Sequence, residues 1–120
     1  MQAPLLDLEP LESFAILGYD DYLDLLGDVV RDVPGHLDSI RSAILAGNFA
    51  EVSTRIHSLR GMVSYFGCIG LTGRLAKLEH QPAIAPTAAA AIHAELQELW
   101  DCSLAALKDW EKSVPDFAPV

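Results

Sequence analysis

Two long segments of the chain repeat apolar residues at alternating gaps of four and three, and this periodicity limits the fold more than any other feature. Tyr22, Leu26, Val29, Val33, Leu37, Ile40 and Ile44 form one stripe; Ile92, Leu96, Leu99, Ser103, Leu107, Trp110 and Val114 form a second with the same gaps. Such spacing places every member on one face of an α-helix. No convincing period-two run flanked by hairpin turns occurs, so sheet folds are set aside. Pro34 and Gly35 fall inside the first stripe. A helical proline loses one hydrogen bond and crowds the preceding turn, so a kink or a break is expected near Val33, and continuity of the stripe favours the kink.

Between the two stripes the punctuation is regular. Gly47 suits a left-handed helix end, Asn48 can accept from the free amides of the next helix, and Glu51 follows three residues later as in a capping box. That helix has the seam Phe49, Val52, Ile56, Leu59, Val63 and Phe66 and ends near Gly67. Leu71, Leu75 and Leu78 mark a third helix, whose start Gly70 and Gly73 weaken. A linker from Gln81 to Pro86 stops propagation, Thr87 can cap the last helix, and the alanine run 88–91 begins it. Ahead of all this, residues 1–19 carry Leu11, Phe14 and Leu17 at helical spacing and read as a docked lead-in helix. The expected architecture is all-α: an antiparallel up-and-down four-helix bundle over residues 20–114, an accessory N-terminal helix, and a tail at 115–120.

Composition narrows the function classes. At 120 residues and 51% hydrophobic content the chain can bury a core as one domain. A formal charge of −9 repels nucleic-acid backbones and anionic lipid heads, so neither is expected as a partner. Cys68 and Cys102 form no CxxC and no paired His/Cys spacing, which argues against a zinc site or a disulfide framework. No run approaches the 18 or so apolar residues of a membrane span, and acids occupy the N-terminus where a signal peptide needs bases; a cytoplasmic location is expected.

The charge is not evenly spread. The 27 residues between Glu51 and Glu79 contain no acid but hold Arg55, Arg60, Arg74 and Lys77, so they carry +4 and leave −13 on the other 93. Either this is chance segregation or it is a site meant to meet an anion. Inside the island His57 sits one position beyond Ile56, rotated by about 100° from the apolar seam. Its helix-face neighbours are Ser53, Arg60, Gly61 and Ser64, small or cationic. Gly61 costs about 1 kcal/mol relative to alanine inside a helix. It therefore marks either a close approach to the backbone from outside or tight packing against a neighbouring helix.

The string His57-Ser58-Leu59-Arg60-Gly61, with Gly67 ten residues after the histidine and Leu78-Glu79 closing the next helix, resembles the histidine phosphotransfer (HPt) domain family. The specific matches lie in residues 56–79. The resemblance implies that His57 is the phosphoacceptor, Arg60 the cation beside the phosphoryl group, and Gly61 the gap through which a receiver domain reaches the imidazole. It implies that Gly67 serves close helix packing and the turn, and that Glu79 lies near the other ring nitrogen and fixes the tautomer. Ser53, Ser64 and Lys77 would meet the partner, Lys77 as a second cation. Imidazole, with an unperturbed pKa of about 6.5, is substantially neutral and nucleophilic near neutral pH. Phosphoryl transfer asks mainly for in-line positioning and compensating charge. Met62 departs from the small residue usual after the motif glycine, Cys68 from a frequent alanine, and Tyr65 and Phe66 add bulk.

The expected function is therefore a phosphorelay intermediate, a carrier more than an enzyme, that takes a phosphoryl group from a phospho-aspartate receiver or a hybrid histidine kinase and passes it to another receiver. No cofactor is expected on this chain; Mg²⁺ would come with the receiver, and a monomer is expected. The alternative is a helical adaptor of the same fold that binds a signalling partner without accepting phosphate. His36, His80 and His93 lack the paired spacing of a di-iron bundle, and no nucleotide-binding or hydrolase motif is present. Asp20, Asp21, Asp24 and Asp28 lack the arrangement of a calcium loop and read as a solvated helix start; Trp100 and Trp110 read as core.

Overall fold

The computed structural model describes residues 5–81 and 83–114; the side chains of Ala15 and Leu17, the linker's Pro82 and the expected tail at 115–120 lie outside the described residues. Every regular element among the described residues is helical: α1 (Leu8–Leu17), α2 (Tyr19–Leu45), α3 (Phe49–Ser64), α4 (Ile69–Glu79) and α5 (Ala89–Ser113), with a 3₁₀ turn at Pro86–Ala88. α3 packs between α2 and α4, α5 also packs against α2 and α4, and α1 lies on α2. A single core runs through them, including Val33, Leu37 and Ile44 of α2, Ile56 and Leu59 of α3, Leu71 and Leu75 of α4, and Leu96 and Leu107 of α5.

α2 continues through Pro34 without a break. Val33 and Leu37 are buried while Pro34 and Gly35 face solvent, so the lost hydrogen bond lies on the outer side and the apolar stripe stays in register. Gly47, at φ 69°, makes the turn out of α2, and the Asn48 side chain accepts from the Glu51 amide at 3.2 Å to start α3. Two details differ from the periodicity. Phe49, placed on the α3 seam, is 45% exposed because it occupies the first turn and projects beyond its neighbours. Thr87 does not cap α5; it lies within the 3₁₀ turn, and no side chain caps the α5 start.

The lead-in helix is a full member of the core. Leu11 is completely buried, and Phe14 stacks on Phe66 with ring centroids 5.3 Å apart. Tyr22 meets both rings edge-on, at 5.5 and 5.9 Å, and Trp110 of α5 closes the group 5.6 Å from Tyr22. Burial and the neighbouring Glu111 push the Tyr22 phenol well above its ordinary pKa, so it stays neutral there. Just before α1 the chain crosses the α3–α4 turn, where the Asp7 amide donates to the Gly67 carbonyl at 2.7 Å and the Gly70 amide donates to the Leu5 carbonyl at 3.2 Å.

Candidate functional site

The α3 register sets out the site. Ile56, Leu59 and Val63 are anchored in the core, which turns His57 outward, and its side chain is 81% exposed. α4 ends at Glu79. A carboxylate there sits at the negative end of the helix dipole and needs a cation nearby. Arg60, one turn beyond His57, provides it: its Nη1 donates to Glu79 Oε2 across the α3–α4 interface. The other oxygen, Oε1, lies 3.6 Å from His57 Nδ1, close enough for charge attraction but longer than a hydrogen bond. Glu79 is only 16% exposed. The three side chains thus run in series, guanidinium to carboxylate to imidazole, and Nδ1 is the ring nitrogen turned toward the protein while Nε2 is distal.

Arg60 is therefore engaged by a carboxylate instead of standing free beside the imidazole. The same holds for two more cations of the basic island, since Arg55 pairs with Glu51 at 2.6 Å and Arg74 with Glu95 of α5 at 2.7 Å. The +4 of the local sequence is thus largely answered by acids at its edges and from another helix. Lys77 belongs to a different surface. It is two residues from Glu79, about 200° around α4, and lines a groove with Arg74, Glu95 and Leu99 on the α5 side. The structure does not bring Lys77 to His57.

Gly61 resolves between its two readings. A Cβ built there would meet no neighbouring atom within 4 Å, so no helix packs tightly against it and the space above it is open. Ser53 and Ser64 are exposed on the same side of α3, the Ser64 hydroxyl donating to the Gly61 carbonyl at 3.0 Å. Gly67 has the opposite surroundings. At φ 65° it makes the turn, but what it admits closely is the N-terminal segment: a Cβ would stand 2.0 Å from the Asp7 carbonyl oxygen. Cys68 beside it is fully buried, and burial pushes its thiol up to about 12, which makes it inert at neutral pH.

The remaining histidines differ from His57. His93 also faces a carboxylate, Asp38, at 3.2 Å between α5 and α2, but is only 22% exposed. No group of three or more His, Cys, Asp or Glu side chains able to hold a metal occurs among the described residues. No helix among them is long and apolar enough to cross a membrane. Periodicity puts Val29 on the α2 stripe but does not bring it, with Leu25, Asp28 and Asp32, against Met62 and Tyr65 at the end of α3. Only the fold brings these together, since more than 25 residues separate the two sets.

A comparison with curated proteins and one with solved structures found no match. The family model described as "Hpt domain" matches residues 24–102, about two thirds of the chain, and spans His57, Arg60, Gly61, Gly67 and Glu79. With an all-helical fold and an exposed motif histidine beside the carboxylate that closes the next helix, this chain belongs to the Hpt domain family.

Proposed function

We propose that the chain is a phosphorelay intermediate in which His57 Nε2 accepts a phosphoryl group from a receiver domain's phospho-aspartate and later returns it to the aspartate of another receiver. The observation that carries this reading is the pairing of an 81% exposed imidazole with a carboxylate that faces only its Nδ1 side. A proton kept on Nδ1 leaves the Nε2 lone pair free. That pair attacks phosphorus in line, the P–O bond to the donor aspartate breaks, and the aspartate leaves as a carboxylate while the N–P bond forms. The ring gains positive charge, which Glu79 faces. Arg60 holds Glu79 in place and adds a cation within one turn of the phosphoryl group. Reversal of the same steps discharges the histidine.

The rest of the reading follows from this one. The helix order and short connections suit an antiparallel up-and-down bundle of α2 to α5, with α3 and α4 carrying the site. Receivers and a hybrid histidine kinase are the partners, Mg²⁺ arrives on the receiver, and the protein works as a cytoplasmic monomer. Phosphoramidate tests acceptance without any partner. Acid-labile phosphate mapped by mass spectrometry is expected on His57 and absent from His57→Gln. Equal slow labelling of all four histidines, or none, would put the non-accepting adaptor first.

A further inference from the structure

The groove that Lys77 lines runs between α4 and α5, on the side of α4 away from the histidine. Its volume is about 430 Å³, within the roughly 300–1,000 Å³ of small-molecule sites. Gly70, Gly73, Arg74 and Lys77 line it from α4. With 100° per residue these four positions share about 100° of arc, whereas Glu79 lies about 180° from Gly70 and faces His57. The groove and the phosphoacceptor motif therefore use opposite sides of one helix.

The two ends of the groove differ. One end is apolar: Ile69, 39% exposed, and Leu99 of α5 face it, and the N-terminal segment closes it where the Gly70 amide donates to the Leu5 carbonyl. Gly70 is accounted for by that closure, since a Cβ there would stand 3.2 Å from the Leu5 side chain. Gly73 has no such neighbour. A Cβ on it would meet nothing within 4 Å, so a residue that weakens the helix interior leaves the α4 backbone bare at mid-groove. The other end is cationic. Arg74 Nε donates to Glu95 Oε1 at 2.7 Å, which uses one of the five guanidinium N–H donors. Lys77 is exposed and enters no ion pair among the described residues. Two cations and one carboxylate give this end a net charge of +1 in a chain of −9.

We propose that this groove binds a small amphipathic carboxylate, with its apolar body over Gly73 between Ile69 and Leu99 and its head on Lys77. The distance fits the class: Gly70 to Lys77 spans about 10 Å along the helix axis, the length of an extended chain of about eight carbons. The charge fits a monoanion, because Glu95 beside Arg74 repels a second negative charge on the head. An uncharged apolar compound would leave Lys77 unanswered, and a small anion without a body would leave the apolar end in water. The site stands on its own geometry and does not depend on whether His57 accepts phosphate.

NMR titration of the full chain, following backbone amides and methyls, tests this with octanoate as the probe and octan-1-ol, acetate and octyl phosphate as comparisons. Octanoate is expected to shift Gly73, Lys77 and Leu99 saturably, with a dissociation constant on the order of 1 mM. Octan-1-ol should bind about fivefold more weakly, acetate should give no saturable shift, and octyl phosphate should bind no more tightly than octanoate. Lys77→Gln should weaken octanoate about fivefold and leave octan-1-ol unchanged. Gly73→Leu fills exposed space and favours the helix, so it should abolish octanoate binding without lowering the melting temperature. Octan-1-ol binding as tightly as octanoate, tighter binding of octyl phosphate, or full octanoate affinity in Lys77→Gln overturns the proposal. So do octanoate shifts that do not saturate or lie outside the groove, and concentration-dependent shifts of the same residues without any probe, which would assign the groove to a second copy.

Discussion

Gly61, in the last turn of α3, and Gly67, in the turn that follows that helix, are six residues apart, and they are glycine for opposite reasons. Gly67 is required by the chain itself, because its positive φ makes the turn and the Asp7 carbonyl occupies the space a side chain would need. Gly61 is required by nothing in the chain. It is helical, open above, and costs about 1 kcal/mol of helix stability that no internal contact recovers. One region is built for internal closure and the other is left clear for something outside. A glycine in a motif can therefore mean either, and only its surroundings tell which.

A methyl group added at each glycine separates the two cases most strongly. Gly67→Ala forces a left-handed alanine and displaces the docked segment with its two backbone hydrogen bonds, a loss of about 4 kcal/mol. Thermal melting should fall by roughly 15 °C. Removing residues 1–7 takes away the colliding carbonyl, so in that background the same substitution should cost only about 1–2 kcal/mol. An unchanged penalty would mean that the turn alone demands glycine.

Phe14→Ala comes next. It empties space beside Phe66 and Tyr22 and should cost about 3 kcal/mol by chemical denaturation. Phosphoramidate labelling of the folded protein should be unaffected, because α1 and the His57 face are separate. Gly61→Ala should act with the opposite sign, raising the melting temperature by about 4 °C. Labelling of His57 by the small donor should stay unchanged while transfer from a receiver slows. A destabilised Gly61→Ala protein would show that the open ledge is not open.

The smallest effect is in pH. The buried Cys68 thiol is raised from about 9 to about 12 by burial. The folded state therefore retains a proton that the unfolded state loses between these values, and stability falls as pH rises through that window, with no contribution below about 9. Tyr22 is shifted in the same direction and adds to the loss at still higher pH. Because Cys68 is fully enclosed, Cys68→Ala should shallow the alkaline decline measured by denaturation at pH 8 and pH 10.5.

Much of the fold was legible because gaps of three and four encode which side of a helix is dry. The seams of α2, α3 and α5 emerge from that rule directly, and the Asn48 cap from the capping residue three positions ahead of Glu51. It failed where a helix ends or touches two neighbours. Phe49 keeps the register but lies in the first turn of α3 and stays 45% exposed, and α5, wedged against both α2 and α4, buries Trp100 more deeply than Leu99 on the stripe. The histidine motif identified the site. Its ion pairs did not follow, since Arg60–Glu79 and Arg74–Glu95 join residues 19 and 21 apart in sequence on different helices. A local count of charge sees a basic island; the folded surface answers most of it with carboxylates.

The aromatic closure has a practical consequence for moving the module. The family match covers residues 24–102, whereas Phe14, Tyr22 and Trp110 all lie outside it. A fragment cut at those limits would keep His57, Arg60 and Glu79 but bare Phe66 and the core side of α2 to water, presenting a sticky end to other molecules. Transplanting this relay element into another protein therefore means carrying residues 5–114, with the flanks treated as its lid and not as spare linker.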